Sequence, residues 1–141
     1  IALGREALFR NVIGTRNTAI GYAALAASTG NNNIAIGDFT GINLTSGNNN
    51  ITIGTGINVV NITGSNQLNI GGAVFGDLTT KNIGIDVTNP TKKLEVNGTI
   101  KAKDINFTGL ATYANDAAAG TGGLVSGDVY KTATGELRIK L

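Results

Sequence analysis

Apolar and small residues alternate in a four-residue phrase that recurs along the first half of the chain. The phrase reads apolar, small, apolar, glycine, as in the segment from Ile34 to Gly37. Its first and third side chains share one face of a strand, because successive side chains of a β-strand point to opposite faces. The glycines that close the phrase are spaced 16 or 17 residues apart, at Gly4, Gly21, Gly37, Gly54 and Gly71.

A period near 17 residues predicts one coil of a β-solenoid. Helical-hairpin repeats need more residues, whereas the strands of successive solenoid coils stack on one another. Stacking would align the apolar side chains of the phrase in two columns on one face. The residues that define these columns are Ile34 and Ile36, Ile51 and Ile53, and Leu68 and Ile70.

A second series of glycines accompanies the first, at Gly14, Gly30, Gly47 and Gly64. Each coil is therefore predicted to have two corners and two short strands. Glycine is expected at both corners because it adopts positive φ without steric cost. A further apolar column is expected at Leu8, Leu25, Ile42 and Val59.

Asparagine is concentrated just ahead of the phrase, at Asn17, Asn31 to Asn33, Asn48 to Asn50, and Asn66. Two explanations are open. Stacked amides in successive coils form hydrogen-bonded ladders in cross-β structures. Asparagine also favours turns and left-handed backbone conformations without any ladder.

Residues 81–105 are predicted to form a transition segment in which the repeat is broken. Asn82 to Ile85 is similar to the phrase but follows the previous one after too few residues. The dipeptide Asn97-Gly98 separates two alternating runs, which predicts a β-hairpin.

Residues 106–141 are predicted to form a small C-terminal unit. The alanine-rich run within Leu110 to Ala119 favours a short helix or a packed loop. Two further runs, from Asp128 to Lys131 and from Glu136 to Lys140, are expected to pair as a hairpin. The apolar face of this hairpin is assigned to Val129, Leu137 and Ile139. A lone hairpin is unstable in water, so it is expected to pack in a trimer.

The charge distribution points to self-association. The net charge is +2, and Asp38 and Asp77 are the only charged residues between Asn17 and Thr80. A soluble monomer normally displays charge on every face. One coil of this size encloses little volume, so the apolar columns need a cover that a homotrimer would supply. A wider single-chain solenoid is the alternative.

Residues for catalysis are scarce. The chain has no histidine, the usual general base and metal ligand, and no cysteine. Glu95 and Asp104 are the carboxylates considered as a glycosidase pair, but solvated strand faces are their ordinary explanation. Tyr22, Tyr113 and Tyr130 are expected to pack rather than to stack on sugars. We therefore expect no enzyme activity, no cofactor and no metal.

The composition also excludes two classes of partner and suggests that the sequence is part of a longer protein. The small net charge implies no attraction to nucleic acid, and no apolar run is long enough for membrane insertion. Residue 1 is not methionine, so the chain is expected to be a fragment or a processed product.

Three segments resemble known fibrous proteins. The repeats from Asn17 to Gly37 resemble the head repeats of trimeric autotransporter adhesins and similar repeats in phage and other viral tail fibres. The segment from Asn82 to Ile100 resembles a stretch near the C-terminal end of viral tail fibres and spikes. The end of the chain, from Ala111 to Leu137, is similar to tips of viral structural proteins.

This resemblance implies an all-β, homotrimeric β-solenoid or β-roll of the phage-type tail fibre or spike class. The shaft would span residues 1–80, and residues 106–141 would form a short C-terminal β-hairpin trimer cap. The implied location is the virion surface or the cell exterior. The implied partners are a host-surface receptor, with a glycan as one candidate, and other fibre or virion proteins on the N-terminal side. A glycan-depolymerising trimeric tailspike and a bacterial trimeric adhesin head are the alternatives.

Overall fold

Strands hold 23% of the residues and helix only 4%, so the prediction of an all-β chain is confirmed. The computed structural model describes all 141 residues. They form two units, residues 1–100 and residues 101–141. The first unit consists of stacked parallel coils that resemble a β-solenoid of ~4 turns.

One eight-stranded sheet, ordered as in the chain, runs through the first unit. Strands β1 to β5 pair in parallel, one strand per coil, whereas β6 is antiparallel to both β5 and β7, and β8 is parallel to β7. The strands are β1 Ala2–Leu3, β2 Thr18–Ile20, β3 Ile34–Ile36, β4 Ile51–Ile53, β5 Gln67–Ile70, β6 Val74–Asp77, β7 Asn82–Ile85 and β8 Leu94–Val96.

The prediction of two strands in each coil is wrong. The rest of each coil is a series of turns whose backbone groups bond to the neighbouring coils. The N–H of Leu25, for example, donates to the carbonyl of Thr40 at 3.0 Å. The turns satisfy backbone groups between coils as a strand would, without extended geometry.

Small side chains occupy the inside of the coils at the sheet. Ala19, Ala35 and Thr52, the middle residues of their strands, are at most 1% exposed, and their larger apolar neighbours face outward. A thin coil has no room for two isoleucines in its interior. Leu25 and Leu44 enter the core from the side opposite the sheet.

The column predicted at Leu8, Leu25, Ile42 and Val59 is only partly correct. Leu25 and Val59 are in the core, but Ile42 is 38% exposed and Leu44 is buried instead. Gly41 has the left-handed backbone conformation that Leu25 has one coil earlier. A Cβ at Gly41 would lie 2.8 Å from the Leu25 side chain, so the third coil fills the core from a later residue.

The two glycine series have different causes. Gly4, Gly21, Gly37 and Gly54 have φ between 123° and 134°, a region that favours glycine. The second series does not have positive φ, so that part of the prediction is wrong. At Gly30 and Gly47, a Cβ would overlap the carbonyl oxygen of the stacked glycine in the next coil. Close approach of the backbones therefore requires glycine there.

The hairpin predicted around Asn97 and Gly98 is not formed. Strand β8 pairs in parallel with β7, and no second strand follows Gly98 to pair with it. A two-residue type I′ turn needs positive φ at both central residues, and Asn97 does not have it. Instead the N–H of Asn97 donates to the carbonyl of Ile85 at 3.0 Å, which continues the sheet.

The second unit contains one helix and one strand pair. Helix α1 spans Asp116–Thr121, and its N-cap Asn115 accepts from the N–H of Ala118. Strand β9, Val129–Lys131, is antiparallel to β10, Leu137–Ile139. The short helix and the strand pairing agree with the sequence prediction, although the helix begins six residues after Leu110.

The buried face of this hairpin is not the predicted one. Tyr130 is fully buried, whereas Leu137 and Ile139 are 57% and 61% exposed. The hydroxyl of Tyr130 donates to Oδ1 of Asp116 at 2.7 Å and so joins the hairpin to the helix. Leu137 and Ile139 are left uncovered in a single chain, whereas Val129 is half-buried.

Candidate interaction surface

The outward face of the sheet carries two columns of residues, one from β2 to β8 and the other across all eight strands. In the register of the sheet, each outward residue lies directly beside its equivalent in the next strand. The first column is Thr18, Ile34, Ile51, Leu68, Gly76, Ile83 and Leu94. The second column is Leu3, Ile20, Ile36, Ile53, Ile70, Val74, Ile85 and Val96.

We call these two columns together the apolar stripe. None of its positions carries a charged side chain, and the second column is apolar in every strand. At about 4.8 Å between strands, eight strands give it a length of about 34 Å. Ile34, Ile36 and Ile70 are 37–39% exposed, and Leu3 and Leu94 are about 60% exposed.

The stripe extends beyond the repeats that the sequence analysis identified. Strands β6, β7 and β8 lie in the predicted break or next to it, yet each contributes an outward apolar residue in register. The signal was present in the sequence as the alternating pairs Ile83 with Ile85 and Leu94 with Val96. Reversal of β6 conceals it, because the period of 17 residues is lost at that point.

The three consecutive asparagines of a coil have three different roles. In the segment directly before β3, the buried Asn33 and the half-buried Asn31 belong to two separate hydrogen-bonded ladders, which we call the inner and the outer ladder. Asn32 between them has a φ of 57° and supplies the left-handed turn. Both explanations for the asparagines are therefore confirmed, each for different residues.

The inner ladder joins each coil to the one before it. The N–H of Asn33 donates to Oδ1 of Asn17 at 2.8 Å, and the N–H of Asn50 donates to Oδ1 of Asn33 at 2.9 Å. Gln67 continues the series, with its N–H donating to Oδ1 of Asn50 at 2.9 Å. Since buried amides with their bonds satisfied specify one alignment, this ladder fixes the register of the coils.

The outer ladder has the opposite direction. The N–H of Thr15 donates to Oδ1 of Asn31, the N–H of Asn31 donates to Oδ1 of Asn48, and the N–H of Asn48 donates to Oγ of Ser65. Their lengths are 2.7–2.9 Å. Two ladders with opposite donor directions, two residues apart in the same segment of each coil, join successive coils, which favours a stiff stack.

Glu95, one of the two carboxylates considered as a glycosidase pair, has an environment that does not suit a general acid. Glu95 accepts from the N–H of Thr91 at 2.8 Å and from its hydroxyl, and these bonds lower the pKa of Glu95. A glycosidase acid needs a raised pKa. Asp104 lies in the second unit.

The three tyrosines considered for sugar stacking pack against other aromatic rings of the chain. Tyr22 packs edge-on against Phe39 with ring centroids 4.9 Å apart, and Tyr113 contacts Tyr130 in the same way at 6.1 Å. No group of three or more potential metal-ligating side chains is formed. The structure contains no helix with the length and hydrophobicity needed to cross a bilayer.

Comparison of the chain with protein-family models, with curated proteins and with solved structures finds no match. The apolar stripe and the two ladders are the features of the chain that bear on its function.

Proposed function

We propose that this chain is a shaft and tip segment of a homotrimeric attachment fibre, carried on a virion as a tail fibre or exposed on a cell surface as an adhesin. The apolar stripe is the observation that carries the proposal. A contiguous apolar surface about 34 Å long, without charge, marks an interaction site.

Copies of the same chain are the partner that fits this surface. The stripe runs along the stacking direction, so its partner needs an equally straight and equally long apolar face. A second and a third parallel copy supply it, with each stripe turned toward a common axis in a closed cyclic assembly. The exposed Leu137 and Ile139 of the C-terminal hairpin would form a second contact of the trimer, as a cap.

Attachment suits a stiff trimer that has few candidates for chemistry. Three identical weak sites on one rigid body bind a surface by avidity, without any strong single site. The ladders support the stiffness, and the lowered pKa of Glu95 argues against the catalytic alternative. A host-surface receptor is the proposed partner, and the location on a virion or cell exterior rests on the resemblance of the repeats.

Light scattering coupled to size exclusion tests the assembly. The native protein should have about three times the 14.3 kDa mass of the chain. A double substitution on the stripe, Ile36→Asp with Ile53→Asp, should abolish the trimer, because it would place charges in the apolar contact. Ser46→Asp is the matched control, since Ser46 is exposed on a turn away from the stripe.

A folded native monomer at micromolar concentration would overturn the proposal. Attachment itself is tested by adsorption of the labelled protein to bacterial cells. The native trimer and Ser46→Asp should adsorb equally, whereas the stripe variant should lose adsorption with its avidity.

A further inference from the structure

A groove of about 360 Å³ opens where the last parallel coil meets β6 and the loop before β8. Its lining includes Asn66 and Ser65 of the last coil, together with Asp77 and Thr79. Leu68 and the buried Pro90 also line it. We call this the ladder-end groove. Its volume lies within the range of about 300–1,000 Å³ that is common for small-molecule sites.

The groove exists because the outer ladder ends there. In earlier coils the backbone N–H of Asn31 and Asn48 is used by the next coil. Ser65 is the next member, but β6 reverses direction, so no further coil covers it. The N–H of Ser65 therefore has no following coil to which it could donate, unlike the N–H groups of Asn31 and Asn48.

The groups in the groove suit a ligand rich in hydroxyls. Asp77 accepts from the N–H groups of Thr79 and Thr80 through Oδ1, at 2.7 and 3.4 Å, which leaves Oδ2 to accept from a ligand. The Asn66 amide offers both a donor and an acceptor, and Thr79 offers a hydroxyl. The bond from the Thr79 N–H lowers the pKa of Asp77, so its carboxylate is charged at neutral pH.

The charge of the groove selects against anions. Asp77 is the only charged residue in its lining, and no lysine or arginine accompanies it. A carboxylate with free lone pairs forms strong hydrogen bonds with hydroxyl donors and repels anionic groups.

We propose that the ladder-end groove binds a neutral saccharide, with Asp77 and Asn66 hydrogen-bonded to adjacent ring hydroxyls. The inference rests on the proposed attachment function and gives it a location and a ligand class. Leu68 and Gly76 of the lining belong to the apolar stripe, so the proposed site is the polar part of the groove at Asp77 and Asn66, beside the trimer contact. This part occurs three times in a trimer, so a weak monosaccharide site becomes an effective attachment site on a glycan-covered surface.

Two variants remove the polar groups of the groove without disturbing the backbone. Asp77→Asn keeps the oxygen that accepts from Thr79 but removes the charge. Asn66→Gly removes the amide, and glycine tolerates the φ of 62° at this position. Asn49→Gly is the matched control, because Asn49 is the equivalent residue one coil earlier, with a φ of 57°, and does not line the groove.

Saturation-transfer NMR on the intact protein is the test, with free glucose, galactose and N-acetylglucosamine as neutral probes and N-acetylneuraminic acid as the anionic probe. At least one neutral sugar should give signals with the native protein and with Asn49→Gly. Asp77→Asn and Asn66→Gly should each weaken its affinity about tenfold, since hydrogen bonds of this kind are lost. The anionic sugar should give no signal.

Absence of binding by all neutral sugars at millimolar concentration would overturn the inference, as would equal binding by the native protein and both groove variants. Each variant is first checked for the trimer mass, and the two remove different side chains of the groove, so one assembled variant is enough to decide. Trimer formation and cell adsorption that persist without sugar binding would overturn the groove alone and leave the proposed function intact.

Discussion

At the scale of single residues, neighbouring asparagines that are identical in sequence differ in what they stabilise. Asn33 is fully buried, and its Oδ1 accepts from the N–H of Asn50 while its Nδ2 donates to the carbonyl of Gly47 at 2.9 Å. Asn32 is exposed and contributes its left-handed φ. Substitution at the two positions should therefore have unequal consequences.

Asn33→Ala should lower the free energy of unfolding by about 2–4 kcal/mol, because it leaves a buried N–H and a buried carbonyl without partners. Asn32→Gly should change it by less than about 0.5 kcal/mol, since glycine adopts the same φ. Urea unfolding of both variants at one protein concentration measures the difference. Equal losses would show that the ladder adds nothing beyond the turn.

At the scale of elements, Asp116 joins the helix of the second unit to its hairpin through polar contacts, of which the hydrogen bond from Tyr130 is the shortest. The hydroxyl of Tyr130 donates to Asp116, which lowers the pKa of that carboxyl and raises the pKa of Tyr130 itself. A carboxyl with a lowered folded-state pKa stabilises the fold above its unfolded pKa. This stabilisation is lost as the pH falls from the ordinary aspartate value through the lowered one.

Tyr130→Phe should therefore raise the titration midpoint of Asp116, followed by carbon-13 NMR of its carboxyl, toward the ordinary value of 3.8. The loss of stability on acidification should be smaller in this variant, because the folded and unfolded pKa values of Asp116 would then differ less. Tyr113→Phe is the control, because the Tyr113 hydroxyl bonds to the carbonyl of Gly122 instead. An unchanged Asp116 midpoint in Tyr130→Phe would contradict the assigned cause of the shift.

Elements also show what the sequence reveals and what it conceals. Strands β2 to β5 are predictable, because each phrase has a period of two and ends at a glycine. The direction of β6 is not predictable, since apolar and polar side chains alternate in the same way in parallel and antiparallel strands. Which face of a phrase is inside depends on the volume within a coil, which admits Ala35 but not Ile34 and Ile36.

The ladder-end groove could not be predicted for the same reason. Asp77 and Asn66 are eleven residues apart, and no spacing rule brings them together. They line one groove because β6 turns back along β5 and ends the stack. In the sequence, Asp77 stands out as one of two charged residues between Asn17 and Thr80, which does not indicate its neighbours in the fold.

At the scale of the whole molecule, the first unit has the properties of a one-dimensional stack. Each coil contacts chiefly its neighbours through strand pairing and both ladders, so added coils should add stability in roughly equal increments. The apolar stripe should lengthen with the stack, because the coils of β3, β4 and β5 each place two apolar residues on the same face. The number of coils should therefore determine both the stability of the first unit and the length of its contact in the trimer.

Duplication of residues 38–54, inserted after Gly54, should produce a folded protein with one more coil. The added coil carries its own Asn48 and Asn50, so both ladders continue without a break. Small-angle scattering should show a trimer lengthened by about 4.8 Å, and its thermal midpoint should rise. Duplication of residues 38–46 alone adds about half a coil and should destabilise the protein, because it displaces the asparagines from both ladders. If the two insertions behave alike, the coils are not the repeating unit that holds the stripe in line.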